Sequence, residues 1–328
     1  MTQNNLLDST KEVLYQLLRD VIYKRADTHR KNPNYLQDVG KLTLEQRMVH
    51  VNDYLRERNN QIWRHDIETL LSYVNGIKVN DVADAGSGPG LSAECIIDRF
   101  NPNRLVLVDA IPEMLDVAKQ RLESRPEPYN GKIEYINGQV EGLPTLIKKP
   151  VDLVVMHWVI PYTKWQKQKQ MLKGIREKAL REGGMLLFNI PYEDPEFPDI
   201  DFYIAQLFAL RLHLEYDIPQ LHKLSRVTMP TSSLTDNVDN SLSKARFKRV
   251  SKKPEVIYLN NQQIEKCVDG FASVFFNNLG MLQLNGRMPQ TDYERIKGEI
   301  PNMASTIYTL LSGQKMYKLS HVIYVATK

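Results

Sequence analysis

Apolar residues recur at helical spacing along the start of the chain, at Leu7, Val13, Leu14, Leu17, Leu18, Val21 and Ile22, and again between Leu44 and Asn75. That spacing predicts helices ahead of a core. From Asp81 the pattern changes to short apolar runs separated by amphipathic stretches. It predicts strands at Asp81–Ala85, Arg104–Val108, Lys132–Ile136, Val151–Met156 and Met185–Ile190, with helices opening near Pro89, Pro112 and Lys164. Gly183-Gly184 reads as the close of a helix ending at Leu180-Arg181-Glu182. Such alternation implies an α/β fold with a doubly wound, mostly parallel sheet.

Regularity lapses after Tyr192. An acid- and proline-rich turn, an amphipathic segment around Phe202–Leu214 and a Ser/Thr/Asn-rich stretch from Thr228 to Ser243 read as an insertion over the sheet. β character returns at Phe247–Leu259 and Lys318–Thr327, two late strands suited to an antiparallel edge that brings the sheet to seven, with helices from about Gln262 and Gln290. The expected division is a helical cap over 1–79, a core over 80–192, a lid over 193–246 and a sheet-completing part over 247–328.

Composition narrows the function classes. The chain has 328 residues and a net charge of +4 with no dense basic block, so nucleic acid is not an implied partner. Cys95 and Cys267 have no metal-ligand spacing; both read as buried small residues, no metal is expected, and the usage fits a reducing compartment. The start of the chain lacks a basic and apolar leader, and Phe271–Leu284 is too short and too interrupted to span a bilayer, so a cytoplasmic protein is expected. Its oligomeric state, monomer or homodimer, is not legible.

The chemistry concentrates where the first predicted strand ends: Asp84-Ala85-Gly86-Ser87-Gly88-Pro89-Gly90 runs directly into a helix. Glycines there permit a sharp turn and the approach of a ligand to main-chain N–H groups. Asp109, nineteen residues after Gly90, ends the second strand, where a carboxylate can accept from ribose hydroxyls. A nicotinamide pattern needs a small residue at position 91; Leu91 stands there, which favours a cofactor without a pyrophosphate. Asp84 suits a cationic amino group, reached through backbone or water. A purely structural turn, and a helix cap by Asp109, are the plainer readings.

An acidic residue, one spacer and G-x-G-x-G resemble the first motif of class I S-adenosylmethionine-dependent methyltransferases. The resemblance extends from about Asp81 to Pro191, reappears in His321–Val325, and is similar to the small-molecule branch that includes ubiquinone- and menaquinone-type methyltransferases. It implies S-adenosyl-L-methionine as cofactor and S-adenosyl-L-homocysteine as product. It also implies that Gly86, Ser87, Gly88 and Gly90 line the methionine moiety, that Asp109 binds the ribose, and that Ala110 and Ile111 flank the adenine. In the segment Gly138-Gln139-Val140-Glu141-Gly142-Leu143-Pro144, Gln139 stands where the family carries an acid for the adenine amine; Val140 lies beside it, with Glu141 as the fallback and a solvated turn as the plainer reading.

The fourth predicted strand ends in His157-Trp158-Val159-Ile160-Pro161-Tyr162, which the resemblance places under the cofactor and against the acceptor. Pro161 departs from relatives that carry a histidine there; His157 is the substitute base, with Tyr162 as a second catalytic candidate, unless His157 only bonds within its loop. Trp158, Tyr162, Trp165, Tyr192, Phe197, Phe202 and Tyr203 are candidate walls of an acceptor pocket, and Trp63 and Tyr54 candidate aromatics from the cap. Asn189-Ile190-Pro191-Tyr192 follows the fifth strand, not the fourth, and reads as a strand end. The resulting expectation is methyl transfer to an apolar or aromatic small-molecule acceptor. A protein, peptide or RNA methyltransferase, a non-catalytic scaffold and an NAD-dependent oxidoreductase are the alternatives.

Overall fold

The computed structural model describes residues 61–75, 78–160, 165–191, 231–258, 289–311 and 318–328, with isolated positions among 43–51, at 163 and among 261–272. Strands β1 (Asp81–Ala85), β2 (Arg104–Asp109), β3 (Lys132–Asn137), β4 (Val151–Met156), β5 (Leu180–Pro191), β6 (Arg249–Tyr258) and β7 (Lys318–Thr327) form one sheet in the order β3-β2-β1-β4-β5-β7-β6. β1 pairs in parallel with both β2 and β4, so the strand order reverses on either side of β1. β7 lies antiparallel between β5 and β6, as the late β character predicts. The helices are α1 (Gln61–Ser72), α2 (Leu91–Phe100), α3 (Pro112–Glu123), the short α4 (Leu143–Leu146), α5 (Trp165–Gly174), α6 (Thr231–Ala245) and α7 (Gln290–Leu311).

The central strands are apolar on both faces because helices cover both. Alternate residues supply two cores. Leu153, Val155, Leu187 and Ile323 pack toward Trp63, Ile67 and Leu70 of α1, Ile96 of α2 and Ile296 of α7. Val154, Met156, Phe188 and Tyr324 pack toward Met171 and Leu172 of α5 and Val238 and Leu242 of α6. Phe188 and Tyr324 stack across β5 and β7 with ring centroids 4.9 Å apart and planes 2° from parallel.

Two readings need correction. Gly183-Gly184 does not close a helix: a π-helical turn over Ile175–Ala179 ends the preceding helix, and β5 has already begun at Leu180. Val151 pairs with Leu180 but Leu153 with Met185, so the excess residues bulge out of β5, with Gly183 supplying a φ of 76°. The Ser/Thr/Asn-rich stretch holds helix α6, whose Val238, Leu242 and Ala245 are buried in the second core. Residues 231–245 therefore belong to the layer over the sheet and not to a lid. The helices predicted before residue 43 and the Phe202 segment lie outside the described residues. Cys95 is buried as expected, and Cys267 is not described. Among the described residues no helix is long and apolar enough to cross a membrane, and no group of His, Cys, Asp or Glu has the placement to hold a metal ion.

Phe188→Ala removes a fully buried ring from the stacked pair. It should lower unfolding stability by about 3–5 kcal/mol, read from the denaturant midpoint, without moving the turn after β1.

Candidate active site

The turn after β1 lies at the carboxyl ends of the strands, where the strand order reverses, the usual position of a ligand crevice in an open α/β sheet. Gly86, Gly88 and Gly90 have φ of 76°, 51° and 87°, all left-handed. Their surroundings differ. A Cβ on Gly86 would lie 2.4 Å from Val159 Cγ2, and one on Gly90 would lie 2.9 Å from Ala118 Cβ and 3.0 Å from Ala118 Cα in α3. Those two glycines let elements pack closely. Among the described residues a Cβ on Gly88 would meet nothing within 4 Å, so of the three glycines of the turn this one borders open space.

The main-chain donors of the turn are already spent, contrary to the expectation that they face a ligand. Gly86 and Ser87 N–H donate to Val108 O at 2.7 and 3.1 Å, and Gly90 N–H donates to Ser87 O at 3.1 Å. Gly88 N–H donates to Asp109 Oδ2 at 2.8 Å, and Ile111 N–H to Asp109 Oδ1 at 2.9 Å. Asp109 thus ties the turn to the end of β2, and each carboxylate oxygen keeps a lone pair for a further donor. Burial raises the Asp109 carboxyl, while the backbone donors oppose the shift. The residue that caps α3 is Ile111, so Asp109 is not a helix cap.

What the turn does leave unpaired is side-chain oxygen. Ser87 Oγ and Asp84 Oδ1 are buried without a hydrogen-bond partner among the described atoms. Asp84 Oδ2 accepts from Ser92 Oγ at the start of α2. Burial pushes the Asp84 carboxyl up to about 7, against the Ser92 bond and with help from the Asp109 charge. An unpaired carboxylate oxygen and hydroxyl in a buried turn suit the charged tail of an amino acid. Open space at Gly88 and the spare lone pairs of Asp109 suit a ribose. The residues present fit S-adenosylmethionine on these counts.

Of the residues expected around an adenine, Ile111 is buried, Ala110 and Val140 are half-buried and Gln139 is exposed. Arg47, from the segment ahead of α1, grips Glu113 in the first turn of α3 through Nε, 2.9 Å from both carboxylate oxygens, and so fastens the cap beside this edge.

His157 and Trp158 follow β4 and meet a group that sequence reasoning missed. Asp66 of α1, fully buried, takes His157 Nε2 at 2.7 Å and the Trp158 indole Nε1 at 2.6 Å on Oδ2. His321 Nδ1 lies 3.2 Å from its Oδ1, off the line of a hydrogen bond. Asn189 on β5 accepts the Trp158 backbone N–H at 2.8 Å and approaches Asp66 with its amide. Burial alone would raise the Asp66 carboxyl, but the His157 and His321 charges and the donated hydrogen bonds outweigh it and hold the group at about 2. Trp158 is held at φ 56°, rare for a bulky residue. The Trp63 ring stands edge-on to both His157 and Trp158, centroids 6.0 and 5.8 Å away.

A signal for this cluster existed. Asp66 falls at i+3 from Trp63 and one before Ile67 on an apolar helix face, and Asn189 and His321 interrupt apolar strands. Trp165 opens α5, with only its backbone described. Tyr162, Tyr192, Phe197, Phe202 and Tyr203 lie outside the described residues, as does Tyr54.

Residues 82–184 match the family described as methyltransferase domain. A malonyl-[acyl-carrier protein] O-methyltransferase of Chlorobium luteolum is 26% identical over 116 residues, 35% of this chain and 41% of that protein. The chain thus spans about two fifths of the length of the curated relative it matches. Among solved structures, the cyclopropane synthase MmaA2 of Mycobacterium tuberculosis aligns over 88% of this chain and 95% of its own, at 13% identity and TM-score 0.49. A Haemonchus contortus phosphoethanolamine N-methyltransferase 2 complex with S-adenosylhomocysteine aligns over 85% and 56%, at 13% identity and TM-score 0.47.

Two outcomes follow from the turn. Between about pH 4 and 7 the folded chain holds a proton on Asp84 that the unfolded chain has released, so this group's contribution to stability falls as pH rises through that window. Asp84→Asn should flatten the fall, as measured by denaturant midpoints at pH 5 and 7.5. Gly90→Ala should destabilise the fold by about 1–3 kcal/mol, while Gly88→Ala costs only the left-handed strain of about 1 kcal/mol, a contrast that thermal melts resolve.

Proposed function

We propose that this chain, which carries a methyltransferase domain over residues 82–184, transfers the methyl group of S-adenosylmethionine to an apolar or aromatic small-molecule acceptor. The observation that carries the reading is the turn itself: open space at Gly88, bounded by Asp109, next to the unpaired oxygens of Ser87 and Asp84. In this reading Asp84 and Ser87 hold the amino-acid tail, Asp109 the ribose hydroxyls, and Ala110, Ile111, Gln139 and Val140 the adenine. The bound sulfonium supplies an electrophilic methyl group, and the protein has to align the acceptor with it and keep water out.

The aromatic surroundings support an apolar acceptor. Trp63 and Trp158 stand together at the end of β4, followed by buried Val159 and Ile160. His157 is the group here able to take a proton from an acceptor, with Tyr162 as the second candidate. We place the acceptor between this edge and residues 193–230, with Trp165, Tyr192, Phe197, Phe202 and Tyr203 as its further walls and residues 1–79 as the cap. Leu91, the buried first residue of α2, occupies the position where a pyrophosphate-binding turn needs a small residue, which sets the reading apart from a nicotinamide enzyme.

Isothermal calorimetry tests it. The full chain should bind S-adenosylhomocysteine with micromolar or tighter affinity and ignore NADH. Gly88→Val, which fills the open space, should abolish binding while the protein stays folded. Binding of NADH without S-adenosylhomocysteine would overturn the proposal.

A further inference from the structure

The β3 edge of the sheet holds a cavity of about 210 Å³, lined from the last turn of α3, the loop that follows it and β3. Topology sets it apart from the crevice. α3 opens beside Asp109 at the carboxyl ends of the strands, and its twelve residues, at 1.5 Å each, carry its other end about 18 Å away, to the level where β3 begins. The cavity therefore lies toward the amino ends of the strands and shares no lining residue with the Gly86–Gly90 turn.

Its apolar walls suit a flat ligand. Leu122 is buried in the last turn of α3, and Ile133 and Tyr135 share the face of β3 that packs on the first core. Tyr129 is a fixed wall: its hydroxyl donates to Pro102 O ahead of β2, and Gly131 lies too close to that hydroxyl to admit a Cβ. An apolar cavity of about 150 Å³ already holds a benzene ring, so a single substituted ring is the size this one takes.

The polar groups narrow the class. The Arg125 side chain is 11% exposed, its Nη2 donates to Asp98 Oδ1 at 2.7 Å, and its Nε is buried with no hydrogen-bond partner among the described residues. A buried donor left unpaired costs free energy until an acceptor reaches it. Glu123 brings a carboxylate to the same cavity, and its charge adds to burial in raising the Tyr135 hydroxyl. An anionic ligand would meet Glu123 and a cationic one Arg125, so neither full charge is favoured. A hydroxyl satisfies both walls, since it accepts from N–H and donates to a carboxylate.

We propose that this cavity is a second small-molecule site, which takes an uncharged single-ring phenol with its hydroxyl between Arg125 Nε–H and the Glu123 carboxylate. The site does not depend on the methyltransferase reading. Arg125 supplies the donor, Glu123 the acceptor, and the Tyr129 and Tyr135 rings with Leu122 and Ile133 exclude water from the ligand's faces.

Amide NMR of the full chain titrated with phenol tests the site. The expected result is saturable shifts concentrated at residues 122–135, with millimolar or tighter affinity, and with benzoate and benzylammonium each binding about tenfold more weakly. Arg125→Leu should weaken phenol binding about fivefold by removing the donor, and Ile133→Trp, which fills the cavity, should abolish it. Absence of saturable shifts at these residues would overturn the proposal, as would benzoate or benzylammonium binding as tightly as phenol. Both outcomes are read on the wild-type chain, so they stand even if a variant fails to fold. Wild-type affinity in a folded Arg125→Leu would also contradict it. Failure to bind S-adenosylhomocysteine would overturn the methyltransferase reading and leave this result untouched.

Discussion

The bond from Gly88 N–H to Asp109 Oδ2 joins the ends of β1 and β2, between which the proposed site lies. Without it the turn would present a spare donor and the end of β2 a free carboxylate, and neither would be held in register with the other. With it, and with Gly86 and Ser87 bonded to Val108 O, the turn is a closed structure whose shape is set before any ligand arrives. In the proposed function, ligand chemistry falls to space and side chains: the gap beside Gly88, the oxygens of Ser87 and Asp84, and the spare lone pairs of Asp109. Preorganisation of this kind lowers the ordering cost of binding.

The rest of the fold serves that geometry. Parallel pairing of β1 with β2 and β4 fixes where the turn and the His157 loop emerge, side by side at one edge of the sheet. Close approach of α3 to Gly90 and of Val159 to Gly86 then locks the turn between the helix layer and the loop after β4. Among the described residues the chain ahead of β1 is tied to the core at several points, with Arg47 on Glu113, Arg64 on Glu94 and Asp98, and buried Asp66 on His157 and Trp158.

Much of this was legible in the sequence, and unevenly. The core strands were readable because strands covered on both faces are runs of Val, Leu and Ile, and because glycine and proline punctuate their ends. The bulge at Gly183 was not, since a Gly-Gly pair fits a helix end and a strand irregularity equally well. Helix α6 was hidden by Ser, Thr and Asn at exposed positions, while its few apolar residues at Val238, Leu242 and Ala245 decide its packing. Gly88 and Asp109 announced themselves through spacing. Asp66, Asn189 and His321 did not, because they lie far apart in sequence and become a cluster only when α1 packs across three strand ends.

The central claim, that the Gly86–Gly90 turn and Asp109 hold S-adenosylmethionine, is tested most directly by hydrogen–deuterium exchange of the full chain with and without S-adenosylhomocysteine. The account predicts protection concentrated in peptides covering residues 84–92, 109–111 and 138–141. Binding that protected other segments and left these unchanged would contradict it.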